Sequence, residues 1–349
     1  MDVLVLGAGS LGSLVGGLLS PDHDVTLIGR ETHVAAIRES GLAIDGALEG
    51  VVHPAATTDP DGASADLAIV SVKAYDTQRA ADALAACDVD AVWSLQNGLG
   101  NEATLASVVD APVLAGTATY GAERRAPGSV TCTGLGEVAI GPRPGTPTPD
   151  ADASLAERIG RDLSNQADSV GSAAPADRFD GHPRVVVDAT MPERLWSKLA
   201  VNVAINPVTA LARVENGALA GADIAVATGE EVEAAGEGTV AAGQDEMPAD
   251  EPRDTARRAA REVARVAQAS GVALTESDAV AELDEVVEAT AANRSSMLQD
   301  VEAGRRTEID AIAGSVIDRA EAHDVPVPVT RTLAALLMAW EQGAADQTE

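Results

Sequence analysis

Of the 24 basic residues in this 349-residue chain, only two are lysines, Lys73 and Lys198. Arginine keeps its proton near neutral pH, whereas a lysine with a lowered pKa can give one up, so acid chemistry is sought first at these two positions. Lys198 also opens a spacing pattern, because Lys198, Asn202 and Asn206 recur at i, i+4 and i+8. In a helix that spacing stacks the three on one face over about 12 Å of axis. Leu195, Leu199, Val203 and Ala204 cover much of the remaining surface. Buried amides without partners cost about 1–3 kcal/mol each, so such a stripe faces water, a polar network or a ligand. The plain structural alternative is a helix whose solvent face carries one Lys and two Asn. Pro207 marks where this helix is expected to stop or kink.

A second group of residues suits phosphate binding. The apolar run DVLVL at 2–6 passes into GAGSLG at 7–12 and then into SLVGGLLS, which reads as strand, Gly-rich turn and helix. Gly7 permits the tight turn, Gly9 lets backbone approach a pyrophosphate, and Gly12 lets helix pack closely on strand. Ala8, Ser10 and Leu11 complete the turn, and the helix N-terminus faces the phosphates. This is the fingerprint of a Rossmann-type α/β domain. A second strand at 24–30 ends in Gly29-Arg30, and an arginine there suits a 2′-phosphate, which favours NADPH. Glu31 follows at once and would accept ribose hydroxyls if the register moved by one, so NADH stays open. A buried strand within 66–75 delivers Lys73 at its C-terminal end, and the strand in 91–100 ends in Gln96-Asn97-Gly98. Ligands of open parallel sheets bind beyond the strand C-termini, so Lys73 and Asn97 fall where a cofactor would lie. Asn97 reads equally well as a simple turn residue.

The elements that position these residues follow from the pattern. A hairpin is expected in GLAIDGALEGVVH with Asp45-Gly46 as its turn signal. Residues 112–142 read as strands that extend the sheet, followed by a Pro/Thr-rich loop at 142–150, a helix at about 153–167 and short strands to about 187. Beyond that the periodicity is helical, through AREVARVAQASG, AVAELDEVVEATAA, TEIDAIAGSVIDRAEAHD and a last helix near 330–343. The expected domains are therefore 1–187, nucleotide-binding, and 188–349, helical and catalytic. The stretch 226–251 has no basic residue and reads as a mobile acidic insertion.

Composition excludes several function classes. There are 55 acidic residues against the 24 basic ones, a formal charge of −31 that repels nucleic acid and anionic membrane. The acids are spread along the chain and a single Phe is present, a balance resembling halophilic proteins of a molar-salt cytoplasm. At that ionic strength the Debye length is about 3 Å, so anions must be bound by direct contact. No apolar run of membrane-spanning length and no signal peptide is seen, which predicts a cytoplasmic location. Cys87 and Cys132 lack metal-ligand spacing, so no metal is expected.

Several separated blocks together resemble one family. GAGSLG with Arg30, VKAYDT at 72–77, QNGLG at 96–100, WSKLAVNVAINPVTAL at 196–211 and SSMLQDVEAGRRTEID at 295–310 are similar to the ketopantoate reductases, or 2-dehydropantoate 2-reductases. The resemblance implies an N-terminal Rossmann domain and an all-α C-terminal domain like that of 6-phosphogluconate dehydrogenase. It also implies NADPH-dependent reduction of 2-dehydropantoate to (R)-pantoate in pantothenate and coenzyme A biosynthesis. Carried over by motif, Lys198 is the general acid. Asn202, Asn206, Asn216 and Ser296 hold substrate, with Ser296 on its carboxylate. Asn97 touches both substrate and nicotinamide, and Arg30, Lys73, Ala122 and Glu308 line the cofactor site. A homodimer is compatible with the family. The readings left open are a reductase or dehydrogenase for another small 2-oxo or 3-hydroxy acid, and an NADP-sensing regulator without turnover.

Overall fold

A computed structural model describes residues 1–164, 182–220 and 251–346. The acidic insertion lies outside the described residues except for Glu251, and so do residues 165–181, where part of the expected short strands would fall. The chain divides into two compact units, Met1–Leu195 and Trp196–Glu349.

Among the described residues, the first unit contains fourteen strands: β1 Asp2–Leu6, β2 Asp24–Ile28, β3 Leu42–Gly46, β4 Gly50–Val52, β5 Ala55–Thr57, β6 Ser64–Ala65, β7 Leu67–Val70, β8 Asp88–Val89, β9 Val92–Ser94, β10 Val113–Ala118, β11 Gly121–Ala126, β12 Ser129–Gly134, β13 Val138–Pro142 and β14 Val185–Val187. Eight of them form one sheet in the order β14-β13-β10-β9-β7-β1-β2-β5. The pairs from β10 through β5 are parallel, while β13 runs antiparallel to β10. β1, β7 and β9 sit centrally and read as continuous apolar runs because both faces are covered. The covering helices are α1 Ser10–Leu19, α2 Glu31–Ser40, α3 Thr77–Leu84, α4 Asn101–Ala106 and α5 Pro149–Ser164. The last of these starts earlier than the sequence suggests, with Pro149 at its first position, where a missing N–H costs nothing.

Residues 112–142 only partly extend this sheet. β10 and β13 join it, but β11 and β12 leave it to build a second sheet with the 42–52 hairpin, in the order β11-β12-β3-β4. The reason is α1, which is buried from Gly12 to Leu19 and has to be covered on two sides. A Cβ at Gly16 would lie 2.5 Å from Leu27 on the main sheet, whereas one at Gly17 would lie 3.0 Å from both Ile44 and Leu42 on the small sheet. His33 of α2 locks this sandwich. Its Nδ1 accepts from the Gly128 N–H at 2.9 Å, which leaves the proton on Nε2 to donate to Ser13 Oγ at 2.9 Å.

The second unit is helical: most of α6 Met191–Ala212, then α7 Glu251–Ala269, α8 Glu276–Ala289, α9 Ser296–Glu302, α10 Ser315–Ala322 and α11 Pro328–Asp346. A buried stripe of Ala256, Ala259, Ala260, Val263, Ala264 and Ala267 lets neighbouring helices approach α7 closely. Buried Glu262 caps α11, accepting from the N–H groups of Val329 and Thr330 and from Thr330 Oγ1 at 2.8–3.0 Å. α6 does not stop at Pro207 but continues to Ala212. The turn around the proline is supported by Thr209 Oγ1, which donates to the carbonyls of Ile205 and Asn206, and by burial on both sides. The helix instead ends with Arg213 at φ 56° and a Val214 N–H donating to Thr209 O at 3.1 Å, a Schellman closure.

Burial, and then the charge of Arg124, push the His33 pKa down from 6.5 to about 4. The fold binds the neutral ring, so the stability it confers is complete above about pH 6.5 and is lost as pH falls toward about 4. The stability advantage of the wild type over His33→Gln, measured by denaturant unfolding in molar KCl, is expected to shrink over that interval by up to about 3 kcal/mol. A pH-independent difference would contradict this account.

Candidate active site

In the first unit the site begins at the turn after β1. Gly7 has φ 105°, and a Cβ there would lie 2.6 Å from the backbone nitrogen of Val72. A Cβ at Gly12 would lie 2.2 Å from Gly7 O and 2.3 Å from Ser71 Oγ, which itself donates to Gly7 O at 3.0 Å. These two glycines are thus required by the protein's own packing. Gly9 is different: its φ of −84° suits any residue, and the nearest atom to a Cβ there is Gly7 O at 3.8 Å. Among the described residues nothing requires glycine at 9, and the open space beside it fits a ligand that must approach backbone closely. The residues of the turn therefore fit a dinucleotide pyrophosphate at the N-terminus of α1. Leu11 packs against the core beside the turn.

Four more side chains of this unit lie at the C-terminal edge of the main sheet or on β11, which passes over the turn. Arg30 follows β2, exposed, as the extended N-cap of α2, with Glu31 as the first helical residue. Lys73 follows β7, half-buried, at the start of a 3₁₀ turn over Ala74–Asp76. Asn97 follows β9, also half-buried, in a loop that Gly98 and Gly100 turn with φ of 85° and 94°. The loops of Lys73 and Asn97 are bound to each other by a buried chain that the motifs did not announce. Gln96 Nε2 donates to Val72 O at 3.2 Å and to Thr77 Oγ1 at 2.7 Å, Thr77 Oγ1 donates to Asn101 Oδ1 at 2.9 Å, and Asn101 Nδ2 donates to Asn97 O at 2.9 Å. Ala122, on β11, pairs with Cys132 and packs against the core. Two residues on, the N–H of Arg124 donates to Ser10 Oγ at 3.0 Å and its guanidinium to Ala8 O at 3.2 Å. Arg124 carries no sequence signal beyond being an arginine in a short strand.

In the second unit, α6 displays Lys198, Asn202 and Asn206 on one face as the spacing predicts. From Leu199 to Ala210 every residue except Asn202 is buried, including Asn206, which is 6% exposed. Lys198 is half-buried. The stripe is thus not the solvent face of a surface helix. Behind it, Thr209 Oγ1 and Ser295 Oγ lie 2.8 Å apart, joining α6 to the N-cap of α9. Ser295 does the capping, accepting from the Leu298 N–H at 3.1 Å, while Ser296 is exposed at the first helical position. Asn216 is buried; its Nδ2 donates to Thr290 Oγ1 at 2.9 Å, and its Oδ1 has no hydrogen-bond partner among the described residues. Glu308 is 5% exposed, just ahead of a π-helical turn at Asp310–Gly314, an irregularity that often marks functional segments. An ammonium set among carboxamides on one helix face can donate to an oxygen that gains charge during a reaction.

Comparison with known proteins bears on both units. The family model described as "Ketopantoate reductase PanE/ApbA" matches residues 3–145, and its C-terminal counterpart matches 190–236 and 227–341. A 2-dehydropantoate 2-reductase of Halobacterium salinarum is 41% identical over 345 residues, covering 97% of this chain and 98% of that protein. The crystal structure of a PanE/ApbA family ketopantoate reductase from Ralstonia eutropha JMP134 has a TM-score of 0.74 at 29% identity, covering 99% of this chain and 100% of that one. A D-mandelate dehydrogenase solved with NADH and anilino(oxo)acetate shares the fold, with a TM-score of 0.77 at 21% identity over 99% of each chain.

The contrast between Gly9 and Gly12 can be measured. Gly9→Ala is expected to change unfolding free energy by about 1 kcal/mol or less, while weakening dinucleotide binding at least about tenfold. Gly12→Ala is expected to lower stability by more than that, because backbone has to move. Calorimetric titration with NADPH and thermal unfolding of both variants check the pair; equal stability losses would remove the distinction.

Proposed function

The chain belongs to the ketopantoate reductase family, and on that premise we propose that it reduces 2-dehydropantoate to (R)-pantoate with NADPH, Lys198 serving as the general acid. The observation that carries this reading is the polar stripe of α6, a lysine and two amides set into a helix that is otherwise buried from Leu199 to Ala210. Dinucleotide, when bound, supplies the hydride to the ketone carbon. The chain's own residues then have two tasks, to hold the substrate and to neutralise the oxygen.

As hydride reaches the carbon, negative charge develops on the ketone oxygen, and the Lys198 ammonium stabilises it and transfers a proton. The products at this point are the alcohol and a neutral amine, which solvent reprotonates. Asn202 and Asn206, one and two helical turns further on, hold the substrate's polar groups, and an amide serves because it both donates and accepts. Asn216, whose buried Oδ1 has no partner among the described residues, and Ser296 complete the substrate contacts. Asn97 positions substrate and nicotinamide, and Lys73, Ala122 and Glu308 line the cofactor site. Arg30 reads the 2′-phosphate, which is the basis for preferring NADPH over NADH.

Purified protein in molar KCl is expected to oxidise NADPH when 2-dehydropantoate is added, and faster than with pyruvate or branched 2-oxo acids. Lys198→Ala is expected to lower kcat at least about 100-fold with unfolding unchanged. Lys198→Arg should do no better, because a guanidinium does not release its proton. Wild-type turnover in either variant would remove Lys198 from the mechanism.

A further inference from the structure

The Gly-rich turn carries a second arginine that none of the sequence motifs includes. β11 crosses over the turn, and Arg124 is fastened to it at two points: its N–H donates to Ser10 Oγ at 3.0 Å and its guanidinium to Ala8 O at 3.2 Å. Which side of the turn this is can be read from the contacts of Ala8. The N–H groups of Gly7 and Ala8 both donate to Ile28 O, the last residue of β2, at 3.0 and 2.8 Å. A Cβ on Gly29 would lie 2.9 Å from the Ala8 methyl, so Ala8 packs on the residue that immediately precedes Arg30. The charge of Arg124 also reaches His33, near the start of α2, where it adds to burial in lowering that ring's pKa. The guanidinium therefore sits on the side of the turn where β2 ends and α2 begins. In a strand–turn–helix dinucleotide site this is the side of the adenosine ribose, and the residue after β2 reads its 2′ position.

We infer that Arg124 is a specificity-determining residue, closing on the 2′-phosphate of NADPH from β11 opposite Arg30. The inference rests on the NADPH reading above and deepens it. Two considerations make Arg124 the stronger of the two partners. A 2′-phosphate carries close to two negative charges at neutral pH, more than one guanidinium balances. Arg30 is exposed, so molar salt and water screen its pairing, whereas Arg124, on β11, is half-buried and already oriented by Ala8 O. An arginine has five N–H donors in a planar fork, so one guanidinium can bond several acceptors at once.

The test uses the full-length protein in molar KCl and reads binding rather than turnover. Affinities for adenosine 2′,5′-bisphosphate and for 5′-AMP are measured by calorimetric titration for the wild type, Arg124→Gln, Arg124→Lys and Arg30→Gln. Arg124→Gln is expected to weaken the bisphosphate about tenfold or more while changing 5′-AMP less than about twofold. Arg124→Lys should fall between, because a point charge replaces a fork. If Arg124→Gln does not fold, the lysine variant decides, by whether its loss is confined to the bisphosphate. Equal losses for both nucleotides would assign Arg124 to holding the turn and would overturn the inference. Retention of the wild-type preference in both Arg124 variants would overturn it and leave the NADPH reading standing. A wild type that binds the two nucleotides alike would overturn both.

Discussion

The nucleotide-binding half of this protein depends on one close approach. The first turn of α1 lies so near the end of β1 that a methyl at residue 12 would fall 2.2 Å from Gly7 O. That contact fixes the angle at which α1 leaves the sheet, and Ser71 Oγ, donating to the same carbonyl, ties the end of β7 to it. With α1 held there, its far side has to be covered, and the small sheet of β11, β12, β3 and β4 does so. Gly16 and Gly17, adjacent in sequence, face the two sheets in turn. Burial of α1 from Gly12 to Leu19 follows, at about 25 cal/mol for each Å² of apolar surface removed from water. Of the turn's three glycines, Gly9 is the one beside which the described residues leave room, since a Cβ there would come no nearer than 3.8 Å to Gly7 O.

The helical half has a comparable constraint in α6. A helix buried on nearly all sides cannot carry amides at random, since each unpaired one would forfeit about 1–3 kcal/mol. Asn202 is the only break in burial between Leu199 and Ala210, and it lies one turn from half-buried Lys198 and one turn from buried Asn206. The polar groups bonded to the end of α6 are already committed to structure: Thr209 and Ser295 bond each other, and Ser295 caps α9. The stripe stands apart because its amides are placed by helical period, not by capping or turn geometry.

The range over which charge acts on this protein depends on the salt around it. With a formal charge of −31 the surface would repel an anionic cofactor in dilute buffer. In molar salt the field dies within about 3 Å, so recognition of phosphate is left to groups in contact. This is where arginine differs from lysine. The Arg124 fork is held by Ala8 O on one side and by its place in β11 on the other, and the chain has lysine at only two positions.

Much of the architecture was legible from local pattern. The turn at 7–12, the Arg30 position, the hairpin at 42–52 and the polar face of α6 are all short-range features, although Asp45 and Gly46, expected as the hairpin's turn, lie in β3 and pair with β12. Local pattern failed where distant segments decide. Pro207 reads as a helix stop or kink, and Thr209 and the surrounding packing carry α6 past it to Ala212. Residues 112–142 read as one sheet, yet the need to cover α1 sends β11 and β12 elsewhere. The Gln96–Thr77–Asn101 chain joins residues 19 and 24 positions apart, and Arg124 meets Ala8 across 116. The sequence by itself determined which residues repeat, where glycine is permitted and where lysine survives. The tertiary structure alone decided which glycine of the turn has open space beside it and which arginine is fastened to the turn from another strand. Those outcomes depend on the approach of separate strands, and no local dihedral preference encodes that approach.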